Sequence, residues 1–237
     1  KIFPTVEHMA FGIATVALKL GLYKQIVEYI NRVKFEIQAR RMRKNGLDML
    51  DAANRVFATM NVRAFLTYGA LLGAYRDKGF ISYDPDIDLG VLASEIPDDL
   101  HEKMAQAGFK LYRQNVLAGS EQVFEETYIY KKLHLDIFYY FQDGDDYYSI
   151  IARKHETKEW KEANATDGFP CDRSYVPVSD FELQDFLGLK VYMPVKTDEW
   201  LRAIYSDSYM TPIKNWSAKD YKTRIVHTAE RSYRKFF

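Results

Sequence analysis

The sequence predicts an α+β fold, and three features of its 237 residues carry that expectation. Apolar residues recur at mixed three- and four-residue spacing over roughly the first sixty positions, which is the helical period. From Arg63 the texture changes to short apolar runs bounded by Gly, Pro and Asp, the pattern of strands mixed with short helices. The strands arrive in runs and do not alternate strictly with helices, which favours α+β over a doubly wound parallel sheet.

The elements follow in order. Phe11, Ile13, Val16, Leu18, Leu20 and Leu22, then Ile26, Ile30, Val33 and Ile37, predict an N-terminal helical layer. Gly46, after the basic stretch Gln38 to Asn45, predicts a helix stop, with a new helix from Leu47 to Met60. Strands are expected at Ala64 to Thr67, Ile87 to Leu92, Phe109 to Arg113, Val123 to Tyr130, Leu133 to Phe141 and Tyr147 to Ile151. Further helices are expected at Gly69 to Lys78, Ile96 to Gln106, Thr197 to Tyr205 and Ala218 to Arg234. Glu162 to Ser174 has loop composition.

Composition bounds the function. Lys and Arg number 33 and so do Asp and Glu, so the net charge is zero, and duplex nucleic acid is not expected as the main partner. A hydrophobic fraction of 47% and an aromatic fraction of 15% supply a sizeable core and exclude a disordered chain. A single cysteine, Cys171, excludes an internal disulfide framework and a Cys-based zinc cluster. The run Met9 to Leu22 is broken by Lys19 and is shorter than the roughly 20 residues of a membrane span. The expectation is therefore a cytoplasmic protein with peripheral membrane contact through Met9–Leu22 and the Arg40–Lys44 patch, the plainer reading of that patch being a solvated helix face.

The chemistry is concentrated in Tyr68 to Val91, YGALLGAYRDKGFISYDPDIDLGV. A strand ending at Thr67 runs through Gly69 into a helix, and free N–H groups at such a mouth suit a phosphate. Arg76 and Lys78 add positive charge to the same unit. In the strand that follows, period two places Asp86, Asp88 and Gly90 on one face and Ile87, Leu89 and Val91 on the other. Two carboxylates on one face of an apolar strand repel each other unless a cation stands between them. Leu133 to Phe141 repeats the format, with His134 and Asp136 sharing a face, so Asp136 is the candidate third carboxylate. Hard oxygen donors without Cys or HExxH select Mg²⁺ or Mn²⁺. Two such ions about 3.5–4 Å apart stabilise the entering and leaving oxygens of a phosphoryl displacement.

Other readings of the acids remain. An EF-hand loop is disfavoured because Leu89 stands where the loop needs glycine. The DxD of a metal-dependent glycosyltransferase and an inert surface cluster both leave the strand–glycine–helix unit unexplained.

Gly69-Ala70-Leu71-Leu72-Gly73, Arg76-Asp77-Lys78-Gly79-Phe80-Ile81 and Tyr83-Asp84-Pro85-Asp86-Ile87-Asp88 together resemble the signature of the LicD and fukutin-related protein family, a branch of the polymerase-β-like nucleotidyltransferase fold. His134-Leu135-Asp136-Ile137-Phe138 resembles its third-carboxylate strand, and Met193 to Pro212 its C-terminal helix and tail. The resemblance implies a mixed sheet flanked by helices, organised as an N-terminal helical segment (1–46), a catalytic domain (47–212) and a C-terminal helix packed on it (213–237). It implies transfer of phosphocholine, ribitol phosphate or glycerol phosphate from a CDP-linked donor to a sugar hydroxyl of a glycan or lipid-linked glycan, with release of CMP. Asp86, Asp88 and Asp136 would be metal ligands, Asp136 also the base, and Gly69, Ala70, Arg76, Lys78 and His134 would bind the donor. Transfer of a nucleotidyl group, glycosyl transfer through the same DxD, and a non-catalytic binding module stay as alternatives.

The sequence departs from the family pattern in places. Ala70 stands where Thr or Ser is usual, Ser82-Tyr83 replaces Pro-Trp, and Pro85 holds a place often taken by Asp, which leaves a metal role for Asp84 open. The zinc-binding insertion of animal relatives has no counterpart in a chain with one cysteine.

Overall fold

A 37-residue helix, Tyr23–Thr59 (α1), leads into a ten-stranded mixed sheet, and the computed structural model describes residues 22–212 and 224–237. The buried apolar residues of α1, Ala39, Met42, Met49, Leu50, Ala52, Ala53, Val56 and Phe57, form a stripe largely at three- and four-residue spacing. That stripe packs on the central strands β2 (Asp86–Leu92) and β5 (Leu133–Asp143). Tyr29, Ile30, Val33, Phe35 and Ile37, nearer the start of the helix, stay exposed.

Between α1 and β2 lie the short strand β1 (Phe65–Leu66) and the helix α2 (Tyr68–Leu72), which widens into a π-helical turn at Gly73–Asp77. After β2 come α3 (Leu100–Gln106), β3 (Lys110–Leu117) and β4 (Val123–Tyr130), then β5 and β6 (Asp146–Ala152). The chain continues through α4 (Trp160–Ala165), β7 (Phe169–Pro177), β8 (Phe181–Phe186), β9 (Leu189–Pro194) and α5 (Thr197–Tyr205), and ends in β10 (Ile225–Phe236). The strand order is β4-β3-β10-β7-β6-β5-β2-β1-β9-β8, and β4 also pairs with β5. Strands β5, β4, β3, β10, β7 and β6 therefore close a circuit of pairings, with a small core of Leu117, Phe124, Ile150 and Cys171. The larger core lies between the sheet and its helices, where Phe65, Tyr140, Phe181 and Trp200 pack ring on ring.

The α+β mixed sheet flanked by helices agrees with the sequence expectation, and several elements correct it. The helix stop expected at Gly46 is absent, and α1 runs through it. A Cβ there would stand 2.6 Å from the Met42 methyl group and 3.3 Å from the Phe80 ring, so the glycine lies under close side-chain packing and does not break the helix. The helix expected at Ala218 to Arg234 is, from Ile225 onward, strand β10, paired antiparallel to both β3 and β7. Part of Glu162 to Ser174, expected as loop, is the end of α4 and most of β7. Strands β8 and β9 were not foreseen. The Met9–Leu22 segment, apart from Leu22, and the start of the C-terminal element, up to Thr223, lie outside the described residues. Arg40, Arg41, Arg43 and Lys44 are exposed on α1, and Arg43 donates to the Ser82 carbonyl. No helix among the described residues is long and apolar enough to cross a membrane.

Candidate active site

The site is built where β1 turns into α2 and faces β2. Tyr68, at this corner, has φ of 43°, an uncommon conformation for an aromatic residue. Its hydroxyl shares a 2.5 Å hydrogen bond with Ser149 Oγ, and Thr67 shares one of 2.5 Å with Tyr140, so buried partners hold the corner. Gly69 follows, and its N–H donates to Asp88 Oδ2 at 3.2 Å. A Cβ at Gly69 would collide with the Asp84 carboxylate and come within 3.5 Å of Asp88 Oδ2, so only glycine admits the acids so close to the backbone.

Strands β2 and β5 run parallel, with Asp86 opposite His134 and Asp88 opposite Asp136. Direct partners project from the same face, so three acids meet on one side of the sheet while Ile87, Leu89, Leu135 and Ile137 are buried on the other. Burial is the main force raising all of these carboxyls. It lifts Asp86 to about 8, helped by the charge of Asp84. It lifts Asp136 to about 8, helped by Glu125 and Asp86 and opposed by Arg113 and Thr127. Asp88 is raised well above the ordinary range by burial and then by Asp86, Asp84 and Asp136, with the Gly69 N–H acting the other way. Asp84 is also raised by burial, which its hydrogen bond with Asp86 partly offsets.

As placed, no group of three or more His, Cys, Asp or Glu side chains among the described residues is arranged to hold a metal ion. The donor set nevertheless has the chemistry of a hard-cation site. Asp136 Oδ1 is buried with no hydrogen-bond partner, and acids crowded out of water leave charge that a cation would neutralise. Asp86, Asp88 and Asp136, with Asp84 beside them, are the residues that could hold it.

A pocket of about 400 Å³ opens over Asp84, Asp86 and Asp88, lined also by Gly69, Arg76, Tyr209 and Phe35 of α1, while Asp136 stands behind its lining on β5. Arg76 is nearly buried, pairs with Asp77 at 2.7 Å and donates to the Tyr209 carbonyl at 3.3 Å, so its guanidinium is fixed at the pocket wall. The other sequence candidates stand further off. Ala70 is buried in the core behind Gly69. Lys78 sits 5.4 Å over the Tyr75 ring and faces a different pocket, beside Glu182, Asp185 and Asp198. His134 is half-buried, its ring parallel to Tyr112 at 6.0 Å, and its pKa is lowered by burial and by Arg113. Asp84, Glu125 and Arg113 were not singled out as site residues. Asp84 was visible in the motif, whereas Glu125 and Arg113 gain their place beside Asp136 only through cross-strand pairing.

This combination of a strand–glycine–helix corner and facing carboxylate strands defines a nucleotidyltransferase-type domain. The family described as LicD/FKTN/FKRP, nucleotidyltransferase domain, matches residues 61–196, more than half of the chain, and the chain belongs to that family. Ribitol-5-phosphate transferase FKTN of Mus musculus is 26% identical over 184 residues, which cover 77% of this chain and 37% of that protein. The Homo sapiens protein of the same name is 25% identical over the same shares. Uncharacterized protein T07A5.1 of Caenorhabditis elegans is 32% identical over 113 residues, 46% of this chain and 29% of that one. The chain thus spans 37% of the length of the FKTN proteins it matches.

Proposed function

We propose that this domain transfers a phosphate-linked small group, with ribitol phosphate the foremost candidate, from a CDP-linked donor to a sugar hydroxyl, releasing CMP. The observation that carries the reading is the row Asp86, Asp88 and Asp136 on facing strands beside the Arg76-walled pocket. The name of the FKTN relatives supports ribitol phosphate as the group moved.

In this reading Asp86, Asp88 and Asp136 hold Mg²⁺ or Mn²⁺, which when bound would neutralise the charge developing on the transferred phosphoryl group. Gly69 lets Asp84 and Asp88 sit against the backbone at the start of α2, and Arg76 neutralises the donor phosphates from the pocket wall. Asp136 Oδ1, unpartnered on the same face, accepts the proton of the acceptor hydroxyl. The acceptor oxygen forms a bond to the phosphorus that carries the small group. The bond from that phosphorus to the oxygen shared with CMP breaks, and CMP leaves with the electron pair. Tyr205 and Tyr209 wall the pocket and limit water, so the sugar hydroxyl is the favoured nucleophile.

The test is CMP release from CDP-ribitol, CDP-glycerol and CDP-choline by the wild type and Asp86→Asn. The reading expects release with one donor and a loss of at least about a hundredfold in the variant. Equal activity in the two proteins overturns the site assignment, and pyrophosphate as the product overturns the choice of phosphorus.

A further inference from the structure

The buried polar atoms left without partners are not scattered. Apart from one on Glu95, they all lie on β3, β5 and β10: Arg113 Nε, Asn115 Oδ1, Asp136 Oδ1, Arg231 Nη1, Ser232 Oγ and Arg234 Nε. Native proteins leave few buried groups unsatisfied, and four of these, on Arg113, Asn115, Arg234 and Asp136, fall in two adjacent rows across β10, β3, β4 and β5, a place where a polar ligand would complete the set.

The register gives this face its shape. Asp136 stands opposite Thr127, Thr127 opposite Arg113, and Arg113 opposite Phe236. In the adjacent row Glu125 stands opposite Asn115, and Asn115 opposite Arg234. Arg113 reaches Glu125 at 2.7 Å and Thr127 at 2.8 Å, and Asn115 Nδ2 reaches Glu125 at 2.6 Å. Glu125 is thus already engaged. Arg234 has no ion pair or side-chain hydrogen bond among the described residues; it lies 4.6 Å over the Phe169 ring and within the field of Arg113. Arg113 is shared between Glu125 and the field of Asp136, so Arg234 is the guanidinium whose charge is left for an incoming anion, with Arg113 beside it.

Aromatic surface borders the same spot. Phe236 lies 5.6 Å from Tyr112 and 5.7 Å from Trp160, and Tyr112 leads on to His134. Tyr112, Trp160 and Phe236 are 37%, 43% and 44% exposed. Asn164 of α4 exchanges two hydrogen bonds with the Arg234 backbone, at 2.6 and 3.0 Å, and so fixes α4 and its Trp160 against β10. The ledge is therefore held by the fold.

We infer that β3, β10 and α4 form the acceptor subsite, in which Tyr112, Phe236 and Trp160 receive the apolar faces of sugar rings while Arg113 and Arg234 bind a phosphate group carried by the acceptor. This assignment rests on the transferase reading above. It places the acceptor on the far side of Asp136 from the Arg76 pocket, so that donor and acceptor approach the base from opposite directions. Tyr112, Arg113 and Trp160 lie inside the matched family span, whereas Arg234 and Phe236 come from the C-terminal strand outside it.

The test uses the full chain without divalent ions, titrated by NMR with glucose 6-phosphate, glucose and inorganic phosphate. The expected result is that glucose 6-phosphate binds tighter than either fragment. Arg234→Gln should weaken it at least fivefold and erase its advantage over glucose, Arg234→Lys should weaken it less, and Phe236→Ala should weaken both sugars. Thermal unfolding of each variant separates binding loss from misfolding, and Phe236 is exposed enough for its variant to fold. Unchanged affinity in Arg234→Gln, or a loss that instead follows Arg76→Gln, overturns the subsite. Asp86→Asn should bind the sugar phosphate normally, so an inactive protein does not bear on this result. If transfer is observed, Arg234→Gln should raise the KM for acceptor and leave that for donor unchanged; a rise for donor alone overturns the assignment to the acceptor.

Discussion

Asp88 and Asp136 are direct partners across the parallel pairing of β2 and β5, and Asp88 is further tied to the protein by the Gly69 N–H. Neither carboxylate forms an ion pair among the described residues, and burial, with neighbouring acids adding to it, raises both pKa values. Mn²⁺ is therefore expected to bind and to raise the melting temperature near neutral pH, by an amount that grows with the logarithm of one plus ion concentration over Kd. Asp88→Asn or Asp136→Asn should weaken Mn²⁺ by roughly tenfold or more, the scale at which even outer-shell partners act. Electron paramagnetic resonance titration of free Mn²⁺ measures this, and equal affinity in both variants would remove these residues from the cation site.

Arg76 is held against the pocket wall by Asp77 and the Tyr209 carbonyl. Arg76→Gln should weaken CMP or CDP binding by about 1.5–3 kcal/mol, the range for hydrogen bonds to charged groups, with little change in melting temperature. Calorimetric titration of the nucleotides decides it. Undiminished affinity would place the donor elsewhere.

The third position of the period-two face of β2 is Gly90, where a Cβ would collide with the Phe65 ring that packs over the strand. Gly90→Ala should destabilise the protein by roughly 1–3 kcal/mol through overpacking. A fall of about 2–4 °C in Tm for each kcal/mol is expected at this chain length. Adding Phe65→Leu should recover part of the loss by making room.

Glu126 is buried on β4, where His101 Nε2 at 2.7 Å, Gln114 at 2.6 Å and the Tyr128 hydroxyl at 2.8 Å surround it. Burial pushes its carboxyl up, but these partners together outweigh burial and leave the pKa below the ordinary value. His101 is raised, chiefly by its hydrogen bond to Glu126. A raised histidine adds stability that is complete below its unfolded pKa of about 6.5 and is lost as pH rises through the folded value. The melting temperatures of wild type and His101→Gln should therefore differ most below the unfolded pKa and converge as pH rises through the raised folded value. A difference that stays constant with pH would make the His101 contribution packing alone. For Glu126 the sign reverses, with stability lost only as pH falls through its lowered pKa.

The carboxylate row was legible because a strand has period two: Asp86 and Asp88 had to share a face, and a lone Asp136 in an apolar strand needed company. Strands β4 and β6 were legible as short bounded apolar runs, and helix α5 as a helical segment after them. The glycine at 46 misled because glycine punctuates isolated helices, whereas here it clears space for Met42 and Phe80. The C-terminal segment misled because Ile225 to Phe236 is polar and exposed along much of its length. It is a strand because β3 and β7 offer it two open edges, a condition set by distant residues.

The sequence by itself determined the α+β class, the strand–glycine–helix corner and the side of each strand on which its acids stand, since all of these follow from local periodicity and backbone permissiveness. Only the tertiary structure decided that Asp136 faces Asp88, that Arg76 enters the pocket while Lys78 does not, and that Arg234 arrives beside Arg113 and Glu125. Those relationships depend on strand order and register, which are set by the burial of side chains far apart in the chain and are written in no single segment.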